Sequence, residues 1–125
     1  MELEQSRPLN EPEQEMLDAL LAPDFAGAAA LRVQVADARV VGGCDCGCPT
    51  INIEVARSLP PAEVNRRPLT PYEGHVRPLG DEPPGEIILF VRDGYLDSLE
   101  YVWYGENPPT EWPHRERVDL IGPLT

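Results

Sequence analysis

Three cysteines occupy alternate positions in residues 44–49, which read Cys-Asp-Cys-Gly-Cys-Pro and follow two glycines at positions 42 and 43. Thiolates are soft metal ligands, and Zn²⁺ takes four donors in a tetrahedral arrangement. Because the glycines let the backbone curl, the sulfur atoms of Cys44, Cys46 and Cys48 can converge on one ion. The sequence therefore indicates a candidate metal site, and zinc is the only cofactor that we consider for it.

A fourth ligand has to come from outside the three cysteines, and His75, His114 or Asp45 could supply it. We name His75, because a pocket between a proline-rich loop and the sheet would bring it, with Tyr72 and Arg77, close to the cysteines. The spacing itself argues against zinc. Structural zinc sites usually carry two pairs of ligands spaced two to four residues apart, and this chain has no second pair.

Three other roles for the cysteines stay open. A disulfide between Cys44 and Cys48 would close a tight loop, whereas a bond between alternate cysteines would be strained. A reactive thiol needs a nearby cation or base to lower its pKa, and the neighbouring Asp45 acts in the opposite direction. Finally, three small side chains could simply fill the end of a hairpin.

No catalytic set can be recognised in the sequence. His75 and His114 could act as general bases, since imidazole titrates near neutral pH, but neither has a partner evident from spacing. The chain has no glycine-rich phosphate loop and no serine in a nucleophile elbow. We therefore predict no catalytic residues and favour a protein that is not an enzyme.

Aromatic rings and carboxylates lie close together in the last third of the chain. Rings supply buried contact area at interfaces, and carboxylates steer a basic partner towards the surface. The residues that we predict to form such a partner-binding surface are Tyr104, Glu106, Glu111 and Trp112.

The charge of the chain agrees with that prediction. It has 22 Asp and Glu against 10 Lys and Arg, a formal net charge of -12. This balance argues against nucleic acid and anionic membranes as partners, because both are bound through clustered cations. We predict a non-catalytic intracellular binding protein of the immunity or antitoxin type, whose acidic surface meets a basic protein. The alternative is a small zinc-binding or thiol-redox protein that uses the cysteine cluster.

Two helices are predicted near the N-terminus. Asn10 can cap the first, and apolar residues from Met16 to Leu21 share one face until Pro23 ends it. Asp24 can cap a second helix at about residues 25–36, which contains an alanine run. A strand is the competing interpretation of residues 31–35, because apolar and polar residues alternate there.

Four strands follow, at residues 38–41, 50–56, 86–92 and 96–104, and residues 118–121 could add a short one. Asp93-Gly94 between the third and fourth strands is a typical two-residue hairpin turn. The predicted fold class is α+β, with two N-terminal helices packed on one face of a mainly antiparallel, roughly four-stranded sheet and with long proline-rich loops.

A chain of 125 residues suits one domain. We predict a flexible tail at residues 1–9 and a single domain at residues 10–125, with a long loop rich in proline and arginine at residues 57–85. No run of about 18 apolar residues is present, and the N-terminus does not read as a secretory signal. We therefore expect a cytoplasmic protein.

Several segments are similar to an uncharacterised family of small acidic bacterial proteins from high-GC genomes. The resemblance covers most of residues 16–112, with Leu21 to Phe25, the segment Cys46 to Ile51 and the hairpin Val91 to Tyr104 as its motifs. It implies a fold and no catalytic residues. The Asp-Gly hairpin also resembles the C-terminal hairpin of immunity-type proteins that neutralise toxins.

Overall fold

The computed structural model describes residues 6–64 and 68–124. Within them the chain forms seven β-strands, two α-helices and one short 3₁₀ helix. The strands are β1 (Arg7–Pro8), β2 (Arg39–Gly43), β3 (Ile51–Glu54), β4 (Glu73–Val76), β5 (Gly85–Arg92), β6 (Tyr95–Trp103) and β7 (Val118–Ile121), and the helices are α1 (Glu11–Leu20), α2 (Ala28–Val35) and the 3₁₀ helix Arg115–Arg117.

Helix α1 begins at the predicted cap. The Asn10 side chain accepts a hydrogen bond from the backbone N–H of Glu13, and the Glu13 carboxylate accepts one from the backbone N–H of Asn10. This reciprocal pair satisfies two N–H groups that a helix start leaves unpaired. The face of α1 that carries Met16 and Leu20 is buried in the core, and each of these two residues is 1% exposed.

Helix α2 confirms the helical interpretation of its segment, although its cap differs from the prediction. The N-cap is Gly27 and not Asp24, whose carboxylate instead pairs with Arg32. Val33 is 55% exposed whereas Leu31 and Val35 are buried. A strand would place these three side chains on one face, so the burial pattern belongs to a helix.

All strands pair antiparallel in one sheet with the order β1-β2-β3-β6-β5-β4-β7. The predicted hairpin is confirmed as β5 and β6, and its turn residues Asp93 and Gly94 both have positive φ, 55° and 88°. One face of the sheet packs in the core with the helices, and its buried side chains include Ile51, Ile87 and Leu99.

The prediction of a roughly four-stranded sheet is wrong, because the sheet has seven strands. Strand β1 lies in the predicted tail, β4 lies within the predicted loop at residues 57–85, and β7 is the short strand suggested at residues 118–121. Strand β1 is only two residues long, and β4 contains Gly74 at a buried position where no side chain marks the pattern. These short strands form through pairing with their neighbours rather than through their own propensity.

Candidate metal centre

The three cysteines lie on the loop that joins β2 to β3, which we call the cysteine tip (residues 44–49). Their three Sγ atoms all lie within 4.8 Å of one another. Cys44 and Cys46 are exposed to solvent, and Cys48 is buried. The cluster can therefore hold a metal ion that reaches it from solvent on one side and contacts the protein on the other.

Backbone geometry brings the sulfur atoms together. Gly47 has φ of 92°, and its N–H donates to the carbonyl of Cys44, so the chain turns back on itself between the second and third cysteines. The N–H of Cys46 donates to Cys44 Sγ, and the N–H of Cys48 donates to Cys46 Sγ. The distance from nitrogen to sulfur is 3.4 Å in each case. Donors that point at sulfur stabilise the thiolate, which is the form that binds metals.

The pKa values of Cys46 and Cys48 are shifted in opposite directions. Hydrogen bonds with the Cys44 and Cys48 thiols raise the pKa of Cys46 to about 11. Burial raises the pKa of Cys48, but hydrogen bonds from Thr50 and from the two other thiols outweigh burial and lower it below the usual value. These hydrogen bonds therefore favour the thiolate form at Cys48 over the thiolate form at Cys46.

The distance between the sulfur atoms of Cys44 and Cys46 matches neither a disulfide bond nor two ligands of one zinc ion. Cys44 Sγ and Cys46 Sγ are 2.7 Å apart, and all three cysteines are free thiols. A disulfide would need about 2.05 Å, and four sulfurs around a tetrahedral zinc, with Zn–S bonds of about 2.3 Å, lie about 3.8 Å apart. For this pair, either arrangement changes the distance between the two sulfur atoms by only about 1 Å. The disulfide would join alternate cysteines, the pairing that the sequence analysis considered strained.

The cysteine tip forms part of a cleft of about 620 Å³, and its Cys44 and Cys48 face this space. The other walls are the start of the described chain around Arg7 and Glu13, strand β2, and residues 110–114, which we call the C-terminal wall. The predicted pocket with Tyr72, His75 and Arg77 is not this cleft, since none of these residues lines it. This cleft thus lies between the cysteine tip and the N-terminal and C-terminal segments, and a second hollow beside Cys44 and Cys48 is lined by residues 100–103 of β6.

His75 does not lie beside the cysteines. It belongs to β4, and both β6 and β5 lie between β4 and the strand that follows the cysteine tip. Three strand spacings amount to about 14 Å, which is beyond the reach of an imidazole side chain. The His75 ring instead approaches the Glu73 carboxylate at 3.3 Å. Of the four predicted metal ligands, the structure therefore brings together Cys44, Cys46 and Cys48 only.

Two of the four predicted partner-binding residues, Tyr104 and Trp112, lie on opposite sides of the sheet. Tyr104 is 60% exposed and its hydroxyl donates to Glu86, on the sheet face opposite the buried ring of Tyr101. Trp112 stacks on Tyr101 with ring centroids 5.6 Å apart. Glu106 and Glu111 are exposed, and Glu111 belongs to the C-terminal wall of the cleft. The partner-binding role of these four residues stays a prediction.

Thr50 and the pair Arg7–Glu13 contribute to the site without having been predicted. The Thr50 Oγ1 accepts a hydrogen bond from the backbone N–H of Tyr101 at 3.0 Å, which fixes the end of the cysteine tip to β6. Arg7 donates two hydrogen bonds to the buried Glu13 carboxylate, and this contact raises the pKa of Arg7. The sequence signal for the cleft wall around Arg7 and Glu13 is the capping pattern at Asn10, because a cap there places Glu13 in the first turn of a helix.

Compared with protein-family models, with curated proteins and with solved structures, the chain matches none. The resemblance to small acidic bacterial proteins and to immunity-type proteins stays a prediction. In residues 6–64 and 68–124, no helix combines the length and the apolar character needed to cross a membrane.

Proposed function

We propose that the protein binds one thiophilic metal ion, with zinc as the expected ion, through Cys44, Cys46 and Cys48. The observation that carries this proposal is the convergence of three sulfur atoms within 4.8 Å on one loop. Three thiolates select soft or borderline ions such as Zn²⁺ and Cu⁺ over the hard ions Mg²⁺ and Ca²⁺.

The surroundings of the cluster support metal binding over simple packing. Two of the three cysteines are exposed, so the cluster does not fill a gap in the core. Two backbone N–H groups point at its sulfur atoms, and the contact of Thr50 with Tyr101 holds the third cysteine in place. A cluster arranged in this way loses little conformational entropy when an ion binds, because the loop is already in shape.

The test is a competition titration of reduced, metal-free protein with Zn²⁺ against a chromophoric chelator, followed by elemental analysis. We expect one zinc per chain. Removal of a residue that only hydrogen-bonds to a metal ligand weakens metal binding by about 10- to 100-fold. Replacing a cysteine ligand itself by serine should therefore weaken zinc binding by more. The variant His75→Asn serves as the matched control and should bind as the unmodified protein does. Three thiols that react freely in the presence of zinc would contradict the proposal.

The acidic surface supports a second candidate function, the binding of a basic protein. Tyr104 is exposed and donates to Glu86, and Glu106, two residues further along the chain, is also exposed. The net charge of -12 would attract a cationic partner to such a surface. The test is capture of protein partners from the native host at low and high salt, by the unmodified chain and by a Tyr104→Ala, Glu106→Lys variant. We expect salt-sensitive capture by the first and weaker capture by the second. Equal capture by both would contradict this candidate.

A further inference from the structure

The three cysteines leave a zinc ion one ligand short. Structural zinc sites hold four protein ligands, whereas in the described part of the chain no His, Asp or Glu joins the three sulfur atoms as a fourth close donor. A small molecule can take the fourth position, or a nearby side chain can move towards the ion. Asp45 on the tip and Glu100 on β6 lie beside the cysteines, but both offer only oxygen donors, which suit a thiolate-rich site less well than imidazole does.

Four side chains of suitable chemistry line the cleft: Glu13, Glu15, Glu111 and His114. Glu13 is held by Arg7 and by the backbone of Asn10, and Glu15 is fixed on the rigid helix α1. Glu111 and His114 belong to the C-terminal wall, which has no helix or strand of its own. Between these two, imidazole suits a thiolate-rich zinc site better, and three cysteines with one histidine form an established set of zinc ligands.

Tyr101 links the C-terminal wall to the cysteine tip. Its backbone N–H donates to Thr50, two residues after Cys48, and its ring stacks on Trp112, two residues before His114. Cys48 and His114 are therefore each two residues along the chain from a residue that contacts Tyr101. That residue is Thr50 for the cysteine and Trp112 for the histidine.

The histidine side chain is available. His114 is exposed, has an extended backbone with φ of -61° and ψ of 143°, and makes no side-chain capping bond to the 3₁₀ helix that follows it. The chain after it is fixed, because the N–H of Arg117 donates to the His114 carbonyl and β7 begins directly afterwards. Metal binding requires rotation of this side chain and movement of the C-terminal wall towards the cysteines.

From these contacts we infer that His114 is the fourth ligand of the metal ion and that binding draws the C-terminal wall towards the cysteine tip. This inference rests on the proposed metal-binding function and replaces His75, which lies on β4, as the histidine of the site. It makes the metal ion a link between two segments of the chain that are far apart in sequence.

The chain contains two histidines, one on the cleft and one remote from it, which allows a matched experiment. Zn²⁺ affinity and the visible spectrum of the Co²⁺ complex are measured for the unmodified protein and for His114→Asn, His114→Cys and His75→Asn. We expect His114→Asn to weaken zinc binding by more than about 10-fold and to change the Co²⁺ ligand-field bands, because a nitrogen donor is lost. His114→Cys should restore tight binding, and His75→Asn should change neither measurement.

The outcomes separate the two proposals. Unchanged affinity and an unchanged Co²⁺ spectrum in His114→Asn, with binding lost in the Cys→Ser variants, would overturn the role of His114 and leave the cysteine site in place. Absence of stoichiometric zinc and Co²⁺ binding in the unmodified protein would overturn both. A thermal unfolding curve of each metal-free variant checks that the exposed substitution at position 114 leaves the fold intact.

Discussion

Among the single residues, Cys44 and Cys46 are positioned to react with each other. Their sulfur atoms are 2.7 Å apart, and both side chains are exposed whereas Cys48 is buried. A low-molecular-weight disulfide should therefore oxidise this pair first: one thiolate attacks the reagent and releases one reagent thiolate, giving a mixed disulfide. The other cysteine, as its thiolate, then attacks the protein sulfur of the mixed disulfide and releases the second reagent thiolate. We expect a Cys44–Cys46 bond, found by mass spectrometry of the digested protein after alkylation of the remaining thiol.

Zinc provides the control for this oxidation. A bound ion occupies the thiolates, so the same treatment of the zinc-loaded protein should leave all three cysteines reduced. A bond between Cys44 and Cys48, the pairing that loop size alone favours, would show that the spacing of the sulfur atoms in the structure does not govern the reaction.

Gln34 is a second residue whose contacts decide a measurable property. Its side chain is 0% exposed, donates to the carbonyls of Pro60 and Gly94, and accepts from the N–H of Leu96. Gln34→Ala would remove three hydrogen bonds and leave the N–H of buried Leu96 without this partner, whereas the Gly94 carbonyl still accepts from the N–H of Ala62. A buried unpaired group costs about 1–3 kcal/mol, so we expect a loss of about that size in the free energy of unfolding. Denaturant titration measures this loss.

Gln14 is the matched control for Gln34. It lies on the exposed face of α1, where replacement by alanine should change the stability by less than about 0.5 kcal/mol. Equal effects of the two substitutions would mean that the buried hydrogen bonds of Gln34 do not hold α2 against the β5–β6 turn.

Among the elements, Gly47 and Gly94 are positive-φ glycines of two hairpin loops, and they differ in their surroundings. Gly94 has φ of 88°, and a Cβ atom there would lie 2.6 Å from Pro61 Cβ and 2.8 Å from the carbonyl oxygen of Ala62. Gly47 has φ of 92°, but a Cβ atom would meet nothing within 4 Å. Gly47→Ala should cost only the backbone strain of about 1–2 kcal/mol. Gly94→Ala should cost distinctly more, because steric overlap adds to the strain.

Denaturant titration of the two alanine variants, compared with the unmodified protein, gives this difference directly. Equal losses would mean that the loop at residues 61–62 moves away from Gly94 without cost, and that the turn does not depend on this packing.

The elements that could be predicted from the sequence are those whose signal is local. The capping residues around Asn10 fix the start of α1, and the Asp93-Gly94 turn between two apolar runs fixes β5 and β6. Strand β4 gives no such signal, because its buried position 74 is a glycine. It is a strand because β5 and β7 pair with it on either side, and pairing partners distant in sequence are not visible in a local pattern.

The candidate site also has one part that could be predicted from the sequence and one part that could not. Convergence of Cys44, Cys46 and Cys48 could be predicted, since five residues and flexible glycines confine the sulfur atoms to a small volume. The choice of histidine could not, because sequence distance does not tell which strand or loop lies beside the tip. Only the strand order places β4 remote from the cysteines and the C-terminal wall across the cleft from them.

At the scale of the whole molecule, a metal ion in the cleft would hold together the tip of the β2–β3 loop and the C-terminal wall. Binding to the folded state only should stabilise it by about 2.7 kcal/mol when free zinc exceeds the dissociation constant 100-fold. We expect thermal unfolding of the reduced protein to shift upwards with Zn²⁺ and to return to its starting point when a chelator is added.

The net charge of -12 makes an unspecific effect of divalent cations a real alternative, because any cation relieves repulsion between carboxylates. Mg²⁺ separates the two effects, since it prefers oxygen ligands and does not compete for thiolates. The unmodified protein should be stabilised far more by Zn²⁺ than by an equal concentration of Mg²⁺, whereas a variant with all three cysteines replaced by serine should respond equally to both. A stabilisation by zinc that survives in the serine variant would assign the effect to the acidic surface and not to the cysteine tip.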